Sequence, residues 1–179
     1  MEKISFKNPV IKFFSIGVGL YIVWLLTDEY FLKDNSGINR FLSENLAVFS
    51  NGLLHLFNYA STTEFLDQFV IISFSSTRGV WIGEPCNGLK LFALFTIFII
   101  AFPGNWKGKL WFIPLGILII HIANIIRVAI LAIIELKAPE YLNLNHDYTF
   151  TILVWSIIFA LWYFWVKRFG EIKKANVEV

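Results

Sequence analysis

Four long apolar runs constrain this chain more than any other feature. Residues 10–26, 89–102, 110–134 and 148–166 are each almost free of charge. A soluble domain of 179 residues cannot bury so many such stretches, whereas a bilayer accepts apolar helices of roughly 17–25 residues. Composition agrees, with only 16% charged residues where soluble domains carry about 25%. The chain therefore reads as an all-α membrane protein, a bundle of about four transmembrane helices. The first run is near the short end for a span, and Lys12 can snorkel from it. Thr27-Asp28-Glu29 follows that run in place of a small-residue cleavage pattern, so it reads as a retained helix and not a cleaved signal.

The segments between the runs are of two kinds. In residues 41–59, Phe41, Leu42, Leu46, Phe49, Leu53, Leu56 and Phe57 recur at helical spacing. Glu44, Asn45, Asn51, His55 and Asn58 interrupt them, which predicts an amphipathic helix in the interface or packed on the bundle. Residues 65–82 have strand character on either side of Ser75-Ser76-Thr77-Arg78-Gly79, which predicts a short extracytoplasmic β-hairpin. Pro103-Gly104-Asn105 stops the second run, and Pro114 lies early in the third. No internal repeat or low-complexity linker divides the chain, so residues 1–179 read as one membrane domain.

Basic residues mark cytoplasmic segments. They collect at the N-terminus, at Trp106-Lys107-Gly108-Lys109, and at the C-terminus with Lys167, Arg168, Lys173 and Lys174. The other two connections are mixed or acidic. Four spans then alternate with both termini in the cytoplasm, provided residues 41–82 cross zero times or twice, zero being simpler. On this scheme Cys86 stands at the outer start of the second span. Arg127 lies seventeen residues into the third, about 26 Å along its axis, at the outer end of a core of about 30 Å. His146 precedes the fourth span in an outer loop. Three reactive residue types from separate segments thus reach one face.

Cys86 is the only cysteine, which excludes an internal disulfide and any multi-cysteine metal site. No metal site, cofactor or nucleic-acid-binding pattern is read from the chain. Cysteine with histidine points to nucleophilic catalysis, in which the thiolate attacks and His146 handles the proton. The helix start and the neighbouring base are both expected to lower the thiol pKa. Arg127 cannot act as a base but can stabilise an oxyanion, and a cation within an apolar helix is a functional candidate. Asn124, three residues earlier on the same face, would orient Arg127 or donate to substrate. Taken singly each residue has an ordinary explanation. Cys86 is a packed hydrophobe, Arg127 snorkels or pairs with Glu135, His146 is solvated, and His121 makes a structural hydrogen bond in the bundle.

Together the residues match a known pattern. Cys86-Asn87-Gly88 at a span start resembles the Cys-x-Gly motif of the exosortase/archaeosortase family. Asn124-Ile125-Ile126-Arg127 resembles its Asn-x-x-Arg, and His146 its third invariant position. The resemblance covers about residues 83–164, and the shortness of the chain resembles the exosortase F type. It implies a multispanning protein of the bacterial cytoplasmic (inner) membrane with its active site on the extracytoplasmic side. It further implies a cysteine transpeptidase or protease acting on exported proteins that carry a C-terminal hydrophobic sorting tail. Cys86 would be the nucleophile, His146 the acid/base and Arg127 the transition-state stabiliser, with Asn124, Asn87 and Gly88 supporting. The substrate motif, the choice between hydrolysis and transpeptidation, and an accessory membrane protein all stay open. The alternative from another class is a non-enzymatic membrane assembly or transport subunit, in which Arg127 pairs with a partner helix and Cys86 merely packs.

Overall fold

The structure is a computed structural model that describes residues 8–32, 37–67, 69–84 and 86–169. Lys3, Lys7, Lys173 and Lys174, part of the orientation reading, lie outside the described residues, as do Lys33, Asp34 and Pro85.

Helix α1 (Pro9–Thr27) starts where the Asn8 side chain accepts the N–H of Val10, and Pro9 supplies the preset φ of a first helical residue. It runs on through a wider turn, Asp28–Leu32. None of its residues is buried, so α1 is an apolar rod whose packing partner is α3 (Leu89–Ala101). Helix α4 (Trp106–Lys137) is the axis of the molecule and contacts α2, α3 and the last helix, α5 (Phe150–Phe169). Asn105 caps its start by accepting the N–H of Lys107. Pro114 lies inside α4 without ending it. Short turns, Pro139–Tyr141, Leu142–Leu144 and Asn145–Thr149, join α4 to α5.

Three helical stretches among the described residues are long and apolar enough to cross a membrane: Pro9–Leu32, Trp106–Lys137 and Pro139–Phe169. The protein is thus a membrane protein with transmembrane helices. Helix α3 stands where the second of the four spans is expected, yet has only 13 residues, about 20 Å at 1.5 Å each. It stops because Phe102 is extended and Pro103 follows. Lys109, itself buried, satisfies that end by donating Nζ–H to the carbonyls of Ile100 and Phe102, both at 2.7 Å. A shared core of Phe92, Phe95, Ile99, Phe112, Ile120, Val154, Ile158 and Trp165 holds α3 against α4 and α5. The approach of α3 to α4 depends on Gly116, where any Cβ would run into the ring of Phe95.

The amphipathic helix appears as α2 (Gly37–Leu56), burying Ser43, Leu46, Ala47, Ser50 and Leu54. It packs along the second half of α4. Asn45 Oδ1 meets His121 Nε2 at 2.9 Å, so His121 makes the bundle hydrogen bond expected of it. Ser50 Oγ donates to the Ile125 carbonyl at 3.2 Å. The expected hairpin is β2 (Val70–Ser73) with β3 (Val80–Ile82), antiparallel, Val70 opposite Ile82. A third strand, β1 (Thr62–Phe65), adds to the free edge of β2 with Thr62 opposite Ser73. The sheet closes a second core with α2 and the end of α4, built on Leu54, Ile72, Ile82, Leu131 and Ala132. The molecule thus has an apolar bundle and a cap beside one end of it.

Candidate active site

The site lies where bundle and cap meet. After β3 the chain turns at Gly83, whose carbonyl accepts the N–H groups of both Cys86 (2.9 Å) and Asn87 (3.0 Å). Gly88 then takes φ +88° at the start of α3. A side chain there would be strained in that conformation, and its Cβ would press to 3.3 Å on both Asn124 Nδ2 and the Phe92 ring. Asn87, fully buried, caps α3 by accepting the Leu89 N–H at 3.0 Å. This turn sets the Cys86 side chain facing α4 and the start of the last span.

All three candidate chemical residues meet there. Cys86 Sγ is 3.4 Å from His146 Nε2. On the far side of the ring, His146 Nδ1 is 2.8 Å from Asp147 Oδ1. A carboxylate only accepts, so the hydrogen of that contact belongs to Nδ1, and Nε2 keeps a lone pair toward the sulfur. Arg127 reaches the same cavity from α4, and its Nη1 donates to Asn124 Oδ1 at 3.4 Å. Asn124 is fully buried and donates Nδ2–H to the Cys86 carbonyl at 2.8 Å. One amide therefore ties the nucleophile candidate's backbone to the cation. Arg127 Nε is buried without a hydrogen-bond partner. The expected alternative for Arg127, a pairing with Glu135, gives way to another bond: Glu135 Oε1 accepts the Gly79 N–H at 2.8 Å.

The electrostatics correct one expectation. The Cys86 thiol is pushed up, not lowered: burial dominates, and the charge and hydrogen bond of Arg127 pull it only part of the way back. A buried thiol away from bulk water holds its proton. The lowering that opposes burial comes from Arg127. The resting thiol therefore lies beside an imidazole nitrogen, placed for proton transfer on attack.

The cavity holds about 330 Å³, with Glu84, Lys90 and Asp147 among its polar residues and Leu91, Val154 and Trp155 among its apolar ones. Lys90 Nζ bridges Glu84 at 2.9 Å and Asp28, in the wider turn after α1, at 3.7 Å. Among the described residues, no cluster of three or more His, Cys, Asp or Glu side chains has metal-binding geometry. Sequence reasoning missed Asp147, although the His146-Asp147 dipeptide was its signal. It also missed Asn39, whose amide meets Asn87.

No curated protein and no solved structure matches the chain. The sequence profile of the transmembrane exosortases (exosortase EpsH) matches residues 5–163. That match takes in Cys86, Arg127 and His146, every strand and most of both cores, and on it the chain belongs to the transmembrane exosortase family.

Proposed function

We propose that this protein is a membrane cysteine transpeptidase or protease that removes C-terminal hydrophobic sorting tails from exported proteins at the outer face of the bacterial cytoplasmic membrane. The observation that carries the reading is the line of Cys86 Sγ, the His146 ring and Asp147, with contacts of 3.4 and 2.8 Å. The order nucleophile, base, orienting carboxylate is the general logic of an activated nucleophile.

The chemistry balances with these groups alone. Cys86 sulfur attacks the scissile carbonyl while His146 Nε2 takes the thiol proton. Asp147 holds the imidazolium that forms. Negative charge on the carbonyl oxygen develops beside Arg127, the cation of the cavity. The C–N bond then breaks, and His146 returns its proton to the leaving amine. The thioester left on Cys86 is resolved by water or by an acceptor amine, whose proton passes back through His146. Asn124 keeps attacking group and cation in one frame, and Gly88 lets the chain turn tightly against it.

Helix lengths support placing this site at the outer boundary. Trp106 to Arg127 and His146 to Lys167 are each twenty-one residue steps, about 31 Å, against a core of about 30 Å. Lys107, Lys167 and Arg168 lie at the end remote from the site, consistent with a cytoplasmic location for it.

The test is processing in cells that co-express an exported protein with such a tail. Wild-type protein removes the tail and forms a hydroxylamine-sensitive adduct; Cys86→Ala does neither. Tail removal undiminished by Cys86→Ala overturns the assignment. A Cys86 thiol inert to every small alkylating reagent would favour the non-enzymatic assembly role instead.

A further inference from the structure

Beneath the Cys86 turn lies a contact that the proposed chemistry does not use. Asn87 Nδ2 donates to Asn39 Oδ1 at 2.8 Å and approaches the Asn39 carbonyl at 3.3 Å. Asn39 in turn donates its own Nδ2–H to the Leu32 carbonyl at 2.8 Å. Asn39 is in the first turn of α2, Leu32 ends the first membrane-spanning stretch, and Asn87 caps α3. One side-chain amide therefore joins three segments directly beside the cysteine. Its chemistry suits the place: a carboxamide donates from one atom and accepts on another, spanning two neighbours at once, whereas a carboxylate only accepts and a hydroxyl does both at a single atom. Asn87 has no solvent exposure, so without the Asn39 side chain its Nδ2–H keeps only the longer bond to the Asn39 carbonyl. Weakening the satisfaction of so buried a group is costly.

The Cys86 turn is held from two sides. Asn124 grips the Cys86 carbonyl from α4, and Asn39 grips the next side chain from α2. Without the grip from α2 the turn keeps the Asn124 bond and its local bonds to Gly83 and Leu89. The grip from α2 fixes the direction of the Cys86 side chain and hence its 3.4 Å approach to His146 Nε2. We propose that Asn39 is a positioning residue for the Cys86–His146 pair, acting through Asn87 and anchored to the end of the first span. This rests on the functional coupling of that pair proposed above.

The test uses full-length protein in liposomes and the rate of Cys86 alkylation by iodoacetamide, which is specific because the chain has one cysteine. His146→Ala in the otherwise wild-type protein is expected to slow alkylation at neutral pH about tenfold, within the range of contacting pairs. In an Asn39→Ala background the same change is expected to have no effect. Asn39→Asp, which still accepts from Asn87, is expected to restore the His146 dependence. Should Asn39→Ala fail to fold, Asn39→Ser, too short to reach Asn87, decides by the same comparison. A full His146 effect in Asn39→Ala overturns the proposal. Its loss in both Asn39→Ala and Asn39→Asp overturns the route through Asn87. No His146 effect in the wild-type background instead defeats the catalytic pair itself, a separate result.

Discussion

Cys86 is a nucleophile candidate in a place that resists its ionisation, and Arg127 is the group that eases that resistance. The sign of the pH dependence follows. With the thiol raised by burial and partly lowered by Arg127, alkylation of Cys86 should rise with pH through a value above that of an ordinary thiol. Arg127→Gln removes the lowering contribution, so the profile should move to still higher pH. Arg127→Lys keeps a charge without the planar fork and should fall between the two. Measuring alkylation rate against pH for the three proteins checks this, and a profile that moves to lower pH in Arg127→Gln would sink the account. Asp147 is the second prediction at this scale. Asp147→Asn leaves no carboxylate to fix the Nδ1–H tautomer or to balance the imidazolium. Tail removal should slow by about tenfold or more, general acid–base catalysis being worth 10²–10⁴. An unchanged rate would show that His146 needs no orienting partner.

At the scale of elements, the cap is joined to α4 by the bond from Gly79 to Glu135. Gly79 takes φ +87°, and a Cβ there would crowd Ile71 and the Ile72 carbonyl, so the turn must be glycine. Its N–H goes to the buried Glu135 Oε1 at 2.8 Å. Glu135→Ala leaves that donor without its acceptor and should cost about 1–3 kcal/mol, read as a lower melting temperature and faster hydrogen exchange in residues 70–82. Glu135→Gln keeps the accepting oxygen and should retain most of the protection. Unaltered Gly79 exchange in Glu135→Ala would contradict the anchoring role. The bundle helices were legible as long apolar runs and α2 by its 3.6-residue period, and the hairpin because a polar turn divides two β-branched runs. Strand β1 was not: Thr62-Thr63-Glu64-Phe65 is short, polar and mostly exposed, and it is a strand only because β2 offers an edge. Helix α3 was legible to within a residue: the apolar run over residues 89–102 gives way at an extended Phe102, before Pro103. Asn39 was invisible for a simpler reason: its partner is forty-eight residues away, and an amide at the start of a helix has no local signature. Cys86 and Arg127 stood out because their residue types are rare beside or within apolar runs, and His146 because topology and the resemblance set it at their level, whereas an orienting Asp or Asn is ordinary in a polar turn.

At the scale of the whole molecule, the two cores have different neighbours, and this gives the orientation its test. The core of α3, α4 and α5 is surrounded by outward-facing apolar side chains such as Leu118, Ile122, Ile152 and Phe159, as lipid requires. Charges gather at its two ends. Lys12, Lys107, Lys167 and Arg168 mark one end; Asp28, Glu84, Lys90 and Asp147 surround the cavity at the other. If basic residues mark the cytoplasm, the cavity faces outward. A negatively charged, membrane-impermeant thiol reagent should then label Cys86 in sealed right-side-out vesicles, and a Cys86→Ser control should stay blank. The thiol is partly buried, so labelling will be slow, and a small neutral reagent run in parallel sets the rate that access alone allows. The cation near the sulfur favours the charged reagent, so low salt should speed its reaction relative to the neutral one. Labelling only after the vesicles are opened, with the neutral reagent reacting throughout, would place the cavity in the cytoplasm. Exported substrates would then be out of reach of Cys86, and the proposed function would fail with the orientation.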